Sequence, residues 1–183
     1  PPIEGIDQFW YEILILILVV ICIGYAAMPC VRKVRPGEQR FVTLMIARYF
    51  LVLVFCQTIR MISFLVTILP SPNSHCREDS PDYNPPTDVA EIFTRVDAST
   101  GCGDLIPSSH AIFATLGGLL MNHYSKNKYL KAVMAMLVIA IGFLVVAARK
   151  HYSIDVVAAW YICPLAWFYC SHTFPDRIPN DIS

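Results

Sequence analysis

Five runs of mostly apolar residues constrain this chain more than any other feature: residues 10–28, 41–69, 107–124, 130–148 and 152–170. A hydrocarbon core of roughly 30 Å takes about 20 such residues as a helix. In lipid the backbone must satisfy its own hydrogen bonds, which an isolated apolar segment does only as a helix. The second run carries polar interruptions and the third is the shortest. Hydrophobic residues make up 56% of the 183 positions and charged residues only 15%, so a soluble core is not the destination of these runs. The chain reads as an all-α, polytopic membrane helix bundle with five transmembrane helices. No repeat or low-complexity tract divides it, so residues 1–183 read as one transmembrane domain.

Lysine and arginine in the short loops set the orientation. Arg32, Lys33, Arg35 and Arg40 separate the first two runs, and Lys126, Lys128 and Lys131 separate the third and fourth. Both loops are expected on the cytoplasmic side. The long segment 70–108 then forms a non-cytoplasmic loop, with Glu78, Asp79, Asp82, Asp88, Glu91, Asp97 and Asp104 against Arg77 and Arg95. Residues 171–183 form a cytoplasmic tail. Alternation leaves Pro1 outside with no signal-like segment ahead of it, which predicts a further amino-terminal span and six in all.

With that topology two polar motifs open apolar runs at the same, non-cytoplasmic surface. One is CGDLIPSSH at residues 102–110; the other is RKHYSID at residues 149–155. His151 and Asp155 are four apart and stack on one helical face. A carboxylate on one ring nitrogen fixes the tautomer, makes the other nitrogen a better nucleophile and stabilises the imidazolium formed on attack. His110 supplies a second proton-handling group. A His/Asp pair at this spacing is more often a cap or a surface hydrogen bond, but here it sits where charge is costly. Asp104 reads either as a helix-start residue ahead of Pro107, the favoured reading, or as a second carboxylate polarising His110.

The remaining polar and reactive positions sort by depth. An arginine at the centre of a span costs about 2.5–3.5 kcal/mol, so Arg60 is expected to face a partner or an aqueous cavity near the site. Arg48 lies nearer the cytoplasmic end and is expected to snorkel. Glu12 reads as interfacial, or as a partner for a basic group in the cavity. Cys22, Cys56, Cys163 and Cys170 read as core packing, and Cys30 lies toward the cytoplasm. Cys76 and Cys102 flank the outer loop, where a disulfide between them is expected. His75 reads as a loop residue, and His123 and His172 fall on the wrong side for the site. Trp160, Tyr161, Trp167, Phe168 and Tyr169 read as span packing and an interfacial belt. No metal or other cofactor is expected: the His and Cys spacing is not that of a zinc site, and the acidic loop has no calcium pattern.

Taken together, these motifs resemble those of the sphingolipid synthase family, relatives of sphingomyelin synthases and, more distantly, of lipid phosphate phosphatases. RMISFLVTILPSPNSHCRE at residues 60–78 is similar to the segment ending that family's third span. CGDLIPSSH is similar to its CGD motif, RKHYSIDVVAAWY at 149–161 to its HYTxDV motif, and PPIEGIDQF at 1–9 to a degenerate first-loop motif. The wording is most like that of the plant and protist inositol phosphorylceramide synthases. The resemblance implies a catalytic triad of His110, His151 and Asp155 and a Golgi membrane. Two departures matter. The phosphatase signature has an arginine six residues before its nucleophilic histidine, where this chain has Val145. Ser109 and Ala111 stand where sphingomyelin synthases tend to have glycine and threonine.

The implied chemistry is phosphodiester exchange between two lipids. His151 attacks the phosphorus of phosphatidylinositol, His110 protonates the departing diacylglycerol, and the primary hydroxyl of ceramide then collects the headgroup from phosphohistidine. With Val145 in place of the arginine, the phosphate falls to Arg149, Lys150 and Arg60, with Ser109 and Asp104 as further substrate contacts. Cations beside the nucleophile favour an anionic donor, although flanking basic residues also anchor helix ends in headgroups. The alternatives are a sphingomyelin or ethanolamine phosphorylceramide synthase, a lipid phosphate phosphatase that lets water in, and a non-catalytic lipid-binding membrane protein.

Overall fold

The computed structural model describes residues 8–31, 36–67 and 106–175, and each expected span has its helix. These are α1 (Gln8–Val31), α2 (Pro36–Val66), α3 (Ser109–Tyr124), α4 (Lys128–Ala147) and α5 (Ser153–Thr173), with no strand among the described residues. Four of them, all but α3, are long and apolar enough to cross a membrane. Their outward faces carry exposed Leu16, Val20, Ile23, Val54, Phe143 and Leu165, a surface that lipid satisfies and water does not. This is an integral membrane helix bundle.

The shortest helix is the central one. At 16 residues α3 reaches only about 24 Å, yet it packs against all four others. Ala111, Ile112, Ala114, Thr115, Leu116, Gly117, Leu120 and Met121 are all buried along it. Small residues let its neighbours close in, as they do in membrane bundles generally. A Cβ at Gly117 would lie 2.6 Å from Leu18 Cδ2, and one at Gly118 would lie 2.8 Å from Val138 Cγ2. Between α4 and α5 the approach is tighter still, since a Cβ at Gly142 would meet Trp160 at 2.5 Å and Val156 at 3.0 Å.

Local signals end the helices where packing requires. Ser108 is the N-cap of α3, its Oγ accepting the Ala111 N–H at 3.4 Å. The expected role of Asp104 as the residue starting this helix is thereby corrected: the helix begins after Pro107, and the hydroxyl of Ser108 does the capping. Asn127 caps α4 by accepting from Tyr129 and Leu130 at 2.9 and 3.4 Å, so the α3–α4 connection is short and the two helices are antiparallel. Helix α4 ends in a reverse turn in which Arg149 N–H bonds the Val146 carbonyl at 3.0 Å and Lys150 N–H bonds that of Val145 at 3.2 Å. That pattern places Arg149 in the left-handed region, φ 55°, a position usually held by glycine.

Arg48 does not snorkel. It is buried, donating to Ser171 Oγ at 2.7 Å and to the Phe174 carbonyl, so it ties α2 to the last turn of α5 and satisfies a carbonyl that has no intrahelical donor. Cys56 and Cys163 pack thiol to thiol at 3.9 Å inside the bundle, with Cys22 and Cys170 also free. Tyr161, Phe168 and Tyr169 face outward while Trp167 is buried, in line with the expected division between belt and packing. Residues 1–7, Arg32, Lys33, Arg35, the acidic loop with His75, Cys76, Cys102 and Asp104, and residues beyond 175 lie outside the described residues.

Candidate active site

The two motifs meet at one end of the bundle because a backbone hydrogen bond joins them. The Ser108 N–H, at the N-cap of α3, donates to the carbonyl of Asp155 in the first turn of α5 at 3.2 Å. This bond fixes the start of α3 against the start of α5. His110, in the first turn of α3, then stands edge-to-face with His151, ring centroids 5.9 Å apart at 64°.

His151 sits in the turn just ahead of α5, and Asp155 sits within the first turn. Both are buried, the carboxylate completely. His151 Nδ1 lies 3.5 Å from Asp155 Oδ2, at ion-pair distance but longer than a hydrogen bond. The same Oδ2 accepts the Tyr152 N–H at 2.8 Å, and the Asp155 N–H returns to the Tyr152 carbonyl at 3.1 Å. Asp155 therefore serves both readings of the sequence at once: it ties down the start of α5, and it faces the imidazole. Among the described residues, Nδ1 of both histidines and Asp155 Oδ1 are buried without a hydrogen-bond partner. Leaving such an atom unpaired costs about 1–3 kcal/mol; three of them lie together here, and Thr115 Oγ1 on α3 and Trp160 Nε1 on α5 are in the same state.

Cations gather around His110. Arg60 on α2 is half-buried, reaches Gln57 Oε1 at 3.4 Å and, like Lys150, lies within electrostatic reach of His110. Burial pushes the Lys150 ammonium below the ordinary lysine value, and Glu12 from α1 pulls it part of the way back. An ammonium short of water gains most from a neighbouring anion. Of the two readings of Glu12, interfacial residue or partner for a basic group, its electrostatic reach to Lys150 favours the second. Arg149 is exposed at the apex of its strained turn, and Ser109 is half-buried beside His110. Val145, at the position of the phosphatase arginine, is fully buried apolar core. His123 and His172 belong to the last turns of α3 and α5, at the far end of the bundle.

One residue of this site was missed by sequence reasoning. Tyr11 of α1 is buried, and its ring meets His110 edge-on, centroids 5.3 Å apart at 78°. The signal was present as a helical stripe: Tyr11, Leu14, Leu18, Cys22 and Tyr25 share the packed face of α1, while Trp10 is exposed.

Comparison with known proteins bears on the same residues. Residues 101–173 match the PAP2 superfamily C-terminal family. An Arabidopsis thaliana protein named phosphatidylinositol:ceramide inositolphosphotransferase 3 is 35% identical over 145 residues, 76% of this chain and 50% of its own length. A phosphatidylinositol:ceramide inositolphosphotransferase of Oryza sativa subsp. indica is 39% identical over 146 residues, 76% of this chain and 44% of the relative. More distant is phosphatidylcholine:ceramide cholinephosphotransferase 1 of Rattus norvegicus, 26% identical over 150 residues, 75% of this chain and 35% of the relative. The chain spans about half the length of the plant relatives it matches. No solved structure gives a significant match.

Proposed function

For a chain that belongs to the sphingolipid synthase family, within the PAP2 superfamily, we propose a phosphotransferase that moves phosphoinositol from phosphatidylinositol to the primary hydroxyl of ceramide. The observation that carries this reading is the pairing of His110, at the start of α3, with His151, in the turn ahead of α5, at a ring-centroid separation of 5.9 Å and with a buried carboxylate behind His151. His151 Nε2 attacks the phosphorus while the bond to the diacylglycerol oxygen breaks and His110 supplies the proton. Nδ1, facing Asp155, carries the compensating positive charge. Ceramide then attacks phosphohistidine, its hydroxyl proton passes to His110, and the nitrogen–phosphorus bond breaks.

Lys150, Arg149 and Arg60 hold the phosphate in this reading, with Ser109, next to His110 in the chain, and Asp104 as further substrate contacts. Two observations support the cations: Lys150 is partly dry, and Arg149 occupies a backbone conformation that glycine adopts without strain. Arg149→Gly relieves about 1 kcal/mol of that strain. Its melting temperature in detergent should hold or rise, while the KM for phosphatidylinositol rises about tenfold through loss of a charge-assisted contact. A parallel fall in stability and activity would make Arg149 a structural residue only.

The basic Lys126, Lys128 and Lys131 at the other end of the bundle support a site on the non-cytoplasmic side, and the family resemblance suggests a Golgi membrane. The full protein in liposomes, given fluorescent ceramide with phosphatidylinositol, phosphatidylcholine or phosphatidylethanolamine separately, tests the donor. Phosphorylated ceramide is expected with phosphatidylinositol alone. Product from phosphatidylcholine or phosphatidylethanolamine reassigns the headgroup, and headgroup phosphate released with no ceramide product makes the protein a hydrolase.

A further inference from the structure

We propose that Tyr11 screens the His110–His151 pair from water and so directs the phosphohistidine to a lipid hydroxyl, an inference that rests on the transferase reading above. A phosphohistidine has two competing acceptors. With ceramide, the new oxygen–phosphorus bond forms, the nitrogen–phosphorus bond breaks and His110 takes the hydroxyl proton. With water the same bonds change, His110 takes a water proton, and free inositol phosphate leaves. The chemistry of the two histidines is identical in both, so the choice lies with whatever covers them.

The cover comes from α1. Tyr11 is 1% exposed although its chain neighbours are open, Trp10 being 53% exposed and Glu12 also exposed. Its ring lies edge-on to His110 at 5.3 Å, while His151 flanks His110 at 5.9 Å. Nδ1 of His110 is buried with no hydrogen-bond partner among the described residues, so packing rather than a polar contact surrounds that nitrogen. The aromatic wall is held in place from the other end of its helix. Tyr25 of α1 donates its hydroxyl hydrogen to the carbonyl of Tyr124 at 2.8 Å, pinning α1 to the end of α3 that lies opposite His110. Tyr11 also stands outside residues 101–173, the segment that holds both histidines and the aspartate. The catalytic groups and their screen therefore come from different parts of the chain.

The test measures a ratio. The full protein is reconstituted in liposomes containing phosphatidylinositol labelled in the inositol ring and fluorescent ceramide, and free inositol phosphate is measured against inositol phosphorylceramide. Tyr11→Leu, or Tyr11→Met should the first not accumulate, removes the ring and is expected to raise hydrolysis over transfer about three- to tenfold, the range an aromatic contact spans. Tyr11→Phe keeps the ring and should keep the native ratio. Leu18→Ala loosens the same face of α1 two turns away and should leave the ratio unchanged while lowering stability. An unchanged ratio in both ring-less variants, or an equal rise in Leu18→Ala, overturns the screen while leaving the transferase reading intact. Native protein that yields no phosphorylated ceramide overturns the transferase reading and the screen with it.

Discussion

His151→Ala is expected to abolish headgroup transfer, lowering the rate by about 10³- to 10⁴-fold or more, because no other group in the site offers a nucleophile oriented by a buried carboxylate. His110→Ala should fall nearly as far, through loss of the proton given to the leaving diacylglycerol. The double variant should be little worse than either single one, since the two rings act as a unit across 5.9 Å. The measurement is conversion of fluorescent ceramide in liposomes, beside a melting curve to show that each variant is folded. Transfer surviving at a tenth of the native rate in His151→Ala would remove the phosphohistidine step from the mechanism.

Asp155→Asn separates the helix-start contact of this carboxylate from the catalytic job proposed for it. An amide oxygen can still accept the Tyr152 N–H that Oδ2 now takes at 2.8 Å, so the start of α5 and the fold should survive within about 1 kcal/mol. What disappears is the negative charge beside His151 Nδ1, now 3.5 Å away, and with it the stabilisation of the imidazolium. Transfer is expected to drop about 10²- to 10⁴-fold at nearly unchanged thermal stability. A variant that keeps its rate within threefold would show that Asp155 caps the helix and does no more.

These two contacts of Asp155 explain why the sequence supported two readings of the same pair. The spacing suggested one helical face, but His151 lies ahead of α5, and the turn at Tyr152 brings its ring to the carboxylate. Arg48 shows the opposite case. Its depth in the second run implied an escape toward the cytoplasmic surface, but Ser171 and the Phe174 carbonyl, more than 120 residues later, receive it inside the bundle. A partner that distant leaves no local trace. Tyr11 was obscured for a related reason: its helical stripe was visible, while the histidine that it covers lies 99 positions away, in a helix with its own periodicity.

From the sequence alone follow the five helices, their approximate limits, the end of the bundle at which the candidate site lies, and the two histidines and carboxylate gathered there. Those depend on local properties: the length of apolar runs against the thickness of a bilayer, charge in short loops, and the short separation of His151 from Asp155 in the chain. Tertiary structure alone decided that the shortest helix occupies the centre, that Ser108 rather than Asp104 begins it, and that α1 lays a tyrosine over His110. These features depend on how closely helices approach, and that is set where Gly117, Gly118 and Gly142 meet Leu18, Val138 and Trp160 across the bundle. Periodicity says which face of a helix is packed; only the side chains on the facing helices decide what it is packed against.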